Sequence, residues 1–238
     1  MQENISLKLF SDIGMGEIFM SRLFDFNTRI LNGLFDTTNG KEIKDAIFVI
    51  IFDGLEPAFR SLRVLRTEWT DMKIPEKKKK QDIENVYSYL TLAFKDRFQK
   101  AAKLMGYDIG FLSQNDSKFE VGYKKFLELH PKISPELIEI MRNDRNGWLS
   151  LMTQVRNQAI EHAADSEPTL KKELEQNMTL EIAEAIFDNC WRAIEDYLIV
   201  FVIDKINPIY GHTILELPEY RQDKNYPQRF GWYFKLYG

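Results

Sequence analysis

Phe48-Val49-Ile50-Ile51-Phe52-Asp53-Gly54 decides the fold. As a buried parallel strand it would end in a catalytic Asp53, as in phosphate-transferring α/β enzymes. As a buried helical turn it would be core and nothing more. Periodicity inside seven residues cannot separate the two, because both are unbroken apolar runs. The flanks can. Position 55 is Leu and not a second acid, no glycine-rich phosphate loop is present, and few β-rich segments alternate with helical ones. Such alternation is what a parallel sheet requires. The run is therefore read as part of a helix over 41–71, with Pro57 as a kink or break, and the chain as all-α.

Working outward, the same period recurs. Ile18, Phe19, Leu23, Phe26, Ile30 and Leu34 are spaced for a helix over about 15–36, which Asn39-Gly40 ends. A third helix is expected over 81–105, stopped by Gly106. A shorter one follows around 117–129. Ser134-Pro135-Glu136 combines a capping hydroxyl, a proline at the first helical position and an acid in the first turn. The pattern it opens runs to His162, with Asn146-Gly147 as an interruption point. Thr179 caps a last long helix, and Pro208 closes it. The tail, 207–238, differs. It holds three prolines and ends in Phe230-Gly231-Trp232-Tyr233-Phe234. It reads as an irregular aromatic segment that packs across the bundle or forms a small strand pair; a base-stacking platform is the rarer use of such a cluster.

The chain has 238 residues, 44% of them hydrophobic and 13% aromatic, which supplies a packed core and excludes disorder. One domain spanning 1–238 is expected. Net charge is −4, so no global basicity advertises nucleic acid, and any such contact must be local. Lys77-Lys78-Lys79-Lys80 reads first as a solvated linker or helix start, and second as a phosphate patch. The single cysteine, Cys190, beside Trp191, excludes an internal disulfide and a cysteine-rich zinc site, and reads as a buried inert thiol. The N-terminal residues lack the pattern of a signal peptide, and no apolar run reaches membrane-spanning length. The expectation is a soluble, cytoplasmic protein with no metal and no cofactor.

Chemistry concentrates in Arg156-Asn157-Gln158-Ala159-Ile160-Glu161-His162. Arg presents a fixed fork of donors to phosphate, and His exchanges protons near neutral pH. In helical projection Leu151, Met152, Val155, Ala159 and His162 fall within about 60° of Trp148, so His162 ends an apolar stripe. Arg156 lies about 80° from Trp148, at the stripe's edge. If the helix runs back through Gly147, Arg142 and Arg145 share that edge and form an arginine ridge suited to substrate binding. Arg156 and His162 are about 120° and about 9 Å apart on an ideal helix. They co-operate only if the helix bends before His162 or two copies of the motif meet across a dimer. A histidine on an apolar face is also a common hydrogen-bonded core residue, and an arginine at its edge a common ion-pair partner.

Arg156-Asn157 followed by His162, with residues 157–161 between, resembles the signature of the HEPN superfamily, in which an arginine and a polar residue precede a histidine by a short spacer. The resemblance covers about 80–206. It implies an all-α HEPN-like core there, with 15–71 as an N-terminal helical extension. It also implies a metal-independent endoribonuclease. Arg156 would hold the phosphate, and His162 would act as acid or base on the ribose 2′-oxygen or the leaving group. Asn157 would orient the substrate or the histidine. By the same resemblance the protein is a homodimer that acts on RNA in stress, defence or toxin–antitoxin biology with an antitoxin or regulatory protein as partner; the apolar stripe that ends in His162 places the interface over a region including 142–162. The competing expectation is a non-catalytic helical scaffold in which Arg156 and His162 are structural.

Overall fold

The computed structural model describes residues 5–7, 40–131, 133, 135–157, 168–206, 211–216 and 230–235. Phe48–Phe52 is helical. It ends α1 (Gly40–Ile50) and enters a π-helical segment (Ile51–Leu55), which leads without a gap into α2 (Glu56–Trp69). The all-α reading holds, and the α/β alternative falls. Pro57 neither stops nor splits this path. It sits in the first turn of α2, directly after the wide turn, and Glu56 N–H bonds to Ile51 O, five residues back. The extra residue loosens the ladder where proline removes a donor.

The second helical path has the same construction: α3 (Glu76–Thr91), a π-helical segment (Leu92–Phe98) and α4 (Gln99–Leu104). It ends as the sequence predicts. Gly106 has φ 94°, Tyr107 N–H bonds to Ala102 O at 2.9 Å, and Gly106 N–H bonds to Lys103 O at 2.9 Å. This pair of bonds with a left-handed glycine is the Schellman stop. The two π-helical segments meet. A Cβ on Gly54 would lie 2.4 Å from Ala93 Cβ, so the paths cross there at backbone contact and only glycine fits.

A 3-10 turn (Gly110–Ser113) leads to α5 (Asp116–Leu129), which Asn115 caps by accepting from Lys118 N–H at 3.2 Å. Then come α6 (Pro135–Asn146), α7 (Trp148–Gln154), α8 (Pro168–Gln176) and α9 (Leu180–Ile206). The last is the central helix. Phe187, Trp191, Tyr197 and Phe201 are fully buried on it. Phe201 stacks on Tyr107 at 4.1 Å between centroids, and Tyr197 packs against Phe94 and Phe98. Burial of one such aromatic removes some 150–250 Å² from water. Among the described residues no helix is long and apolar enough to cross a membrane. The expected helix over 15–36 lies outside the described residues.

The described parts of the tail are strands. β1 (Ile5–Leu7), β2 (Gly211–Glu216) and β3 (Phe230–Lys235) form an antiparallel sheet with β3 in the middle. Ile5 pairs with Phe234 and Leu7 with Trp232, while Gly211 to Glu216 pair without interruption against Lys235 to Phe230. The sheet joins the two ends of the chain.

Candidate functional site

The motif leaves α7 on a widened turn. Residues 155–157 are π-helical, and Val155 N–H is shared between Leu151 O and Met152 O. Such turns arise where a side chain must be re-aimed, and they collect at functional sites. Of the expected stripe Trp148, Met152 and Val155 are buried and Leu151 is half-buried, while Leu149, expected beside Arg156 at the stripe's edge, is buried as well. Arg156 and Asn157 are half-buried, and Arg156 Nη1 donates to Asn157 Oδ1 at 3.2 Å. The polar residue after the arginine is one of the groups that hold the guanidinium. Ala159 and His162 lie outside the described residues.

Arg142 and Arg145 do not join Arg156 in a ridge. The ridge required one continuous helix, but Gly147 (φ −101°, ψ −115°) separates α6 from α7. Both arginines engage α5. Arg145 is buried, its Nη2 donating to Asp116 Oδ1 at 2.7 Å and Gln114 O at 3.0 Å, its Cζ 5.4 Å from the Phe119 ring. This arginine ties two helices together. Arg142 is half exposed; its Cζ lies 4.5 Å from the Tyr123 centroid and its Nη2 3.6 Å from Glu120 Oε2.

Three lysines of the run, Lys78, Lys79 and Lys80, are engaged by other groups of the protein. Lys78 pairs with Glu68 and, at 3.1 Å, with Asp82. Its hydrogen bond to Glu68, then that to Asp82, raises its pKa. Lys79 is buried, donating to Trp69 O at 3.0 Å and Glu76 at 3.2 Å, and Lys80 reaches Glu175 on α8 at 2.6 Å. The run is a helix start stitched to α2 and α8.

One cluster escaped the sequence reading. Asp144, on the last turn of α6, accepts from Trp148 Nε1 at 2.8 Å and from Tyr197 Oη at 2.9 Å. It clasps α6, α7 and α9 together at the helix break. Burial raises the Tyr197 pKa well above its ordinary value, and Asp144 and Asp196 raise it further. Burial, with a smaller push from Asp144, also drives up the Cys190 thiol, so the cysteine is inert as expected. The only sequence signal was an acid four residues before a tryptophan, which is common on helices. Among the described residues no three His, Cys, Asp or Glu converge as metal ligands. No family model, no curated protein and no solved structure matches this chain.

Proposed function

We propose that the protein is a HEPN-like, metal-independent endoribonuclease, acting as a homodimer in which two copies of Arg156-Asn157…His162 line one cleft. The observation that supports this reading best is the Arg156 turn. A guanidinium follows a helix with one buried face on a widened turn, half-buried and bonded to the polar residue that follows it. That is a pre-oriented fork for a phosphate. In the proposed reaction the ribose 2′-oxygen attacks the adjacent phosphorus. His162 takes the 2′ proton or gives one to the leaving 5′-oxygen, and Arg156 stabilises the charge that develops on phosphate. Half-exposed Arg142 is the further substrate contact; Arg145 holds α5 in place behind it. Stress, defence or toxin–antitoxin roles, with an antitoxin or other regulatory protein as partner, fit an RNA-cutting dimer of this kind.

The test is cleavage of single-stranded RNA by the purified protein beside Arg156→Ala, His162→Ala and Asn157→Ala. Each of the first two should cut roughly 10²–10⁴-fold more slowly, with helical content and melting temperature nearly unchanged. Asn157→Ala should fall between them and wild type. A second reading, a non-catalytic helical scaffold, draws on the internal engagement of Arg145, Lys78, Lys79 and Lys80. Unfolding of His162→Ala, together with a wild type that cuts no RNA, decides for the scaffold.

A further inference from the structure

The turn that carries Arg156 stands at the end of a short lever. α7 has seven residues and starts directly after the break at Gly147. Arg156 follows Trp148 by eight positions, about 12 Å along an ideal axis. A tilt of about 10° at the break would therefore move the Arg156 backbone by about 2 Å. For a phosphate-binding fork that shift matters, since a misplacement of about 1 Å can cost about 10²-fold in rate. The helical ladder does not set the tilt, because the backbone at Gly147 (φ −101°, ψ −115°) is not helical. The apolar burial of Leu149, Met152 and Val155 holds α7 down, but apolar burial is non-directional.

Asp144 supplies the direction. Its carboxylate spans the break. Oδ1 accepts from Trp148 Nε1, across Gly147, at 2.8 Å, and Oδ2 accepts from Tyr197 Oη on α9 at 2.9 Å. One oxygen thus takes the first residue of α7, and the other takes the central helix. Both donors belong to buried residues, where a hydrogen bond is stronger than in water. Phe94 completes the seat: the Trp148 ring meets it edge-on at 5.3 Å between centroids, and Tyr197 packs against the same ring. We infer that Asp144 is a positioning residue, which fixes the direction of α7 and so the place of Arg156. Its effect on rate rests on the proposal that Arg156 holds the phosphate. Asp144 acts through Trp148 and the turn at 155–157.

Three variants separate positioning from a merely structural role. Asp144→Ala loses both bonds, and Tyr197→Phe loses the anchor to α9 alone. Asp144→Asn keeps both, because its amide oxygen accepts from the indole while its amide nitrogen donates to the tyrosine oxygen, which accepts as well as donates. Cleavage of single-stranded RNA is measured well below each melting temperature, with helical content as the folding control. Asp144→Ala should lower kcat about 10–100-fold with KM nearly unchanged, since the fork acts on charge that develops in the transition state. Tyr197→Phe should fall between it and wild type, and Asp144→Asn should recover most of the rate. If Asp144→Ala does not fold, the contrast between Tyr197→Phe and Asp144→Asn decides. A Tyr197→Phe protein as fast as wild type, or an Asp144→Asn protein slower than Tyr197→Phe, overturns the inference. Amide hydrogen exchange needs no RNA and supplies the second arm. In Tyr197→Phe the amides of 150–157 should speed up by a larger factor than those of α3. An equal change in both overturns the inference. Faster exchange confined to 150–157, in a protein whose wild type cuts no RNA, upholds the clasp and sinks the ribonuclease reading.

Discussion

Asp144 accepts hydrogen bonds from an indole and a phenol that have little or no access to water. Removing the carboxylate strands both donors, and a stranded buried donor costs about 1–3 kcal/mol. Asp144→Ala should therefore lose roughly 2–6 kcal/mol in urea unfolding; a loss under ~1 kcal/mol would mean that water replaces the carboxylate. At the motif, Arg156→Lys keeps the charge but loses the planar fork, so it should impair RNA cleavage nearly as much as Arg156→Ala. Rescue by lysine would mean that charge alone matters. The buried acids set the pH response. Cys190, Tyr87 and Tyr197 all have pKa values raised by burial from ordinary values of 9.0, 10.0 and 10.0. Below those ordinary values folded and unfolded chains both keep the proton, and stability does not depend on these groups. Above them only the unfolded chain ionises, so stability falls as pH rises. The loss should begin near pH 9 with Cys190 and steepen above 10 with the tyrosines, each group contributing about 1.4 kcal/mol per pH unit. Cys190→Ala should cost about 1–2 kcal/mol at neutral pH and remove the first stage, as urea midpoints across this range would record.

At the scale of elements, the two π-helical segments cross at backbone contact. Gly54→Ala improves helix propensity by about 1 kcal/mol. It also drives a Cβ to 2.4 Å from Ala93 Cβ and 2.7 Å from Ala93 Cα, atoms that no rotamer change can move. Overpacking should win, with a net loss of about 1–3 kcal/mol and a lower melting temperature. Ala93→Gly in the same chain should recover part of it; a Gly54→Ala protein as stable as wild type would show that the crossing can open. Periodicity found the helices on either side of this crossing, and Gly106 announced its own stop. Pro57 hinted at an irregularity beside the first widened turn, but the turns themselves were not legible in the sequence. Two of them meet each other where Gly54 touches Ala93, and a single-chain period does not report neighbours. The ridge of Arg142, Arg145 and Arg156 failed for a local reason. Asn146-Gly147 marked a possible interruption, but only the non-helical backbone at Gly147 shows that the helix is broken there.

For the whole molecule, the sheet ties Ile5–Leu7 to Phe230–Lys235. Deleting residues 1–7 should leave β3 with a single neighbour and speed hydrogen exchange across 230–235, while the core of α9 stays protected. Equal protection would mean that β1 adds nothing. RNA cleavage, if present, should survive EDTA and fail on DNA, which offers no 2′-oxygen. The all-α class was legible in the sequence, because amphipathic period, caps and stops are local and each helix carries its own. So were the buried Cys190 and the helix start at the lysine run. Tertiary structure alone decided which cations stay available. Lys78, Lys79, Lys80 and Arg145 are indistinguishable from free ones in the sequence, but Glu68, Trp69, Glu175 and Asp116 take them up from other elements. Tertiary structure alone also brought Asp144 to Tyr197 across 53 residues. Burial and partnership are properties of what packs against a side chain, and that is set by the fold as a whole.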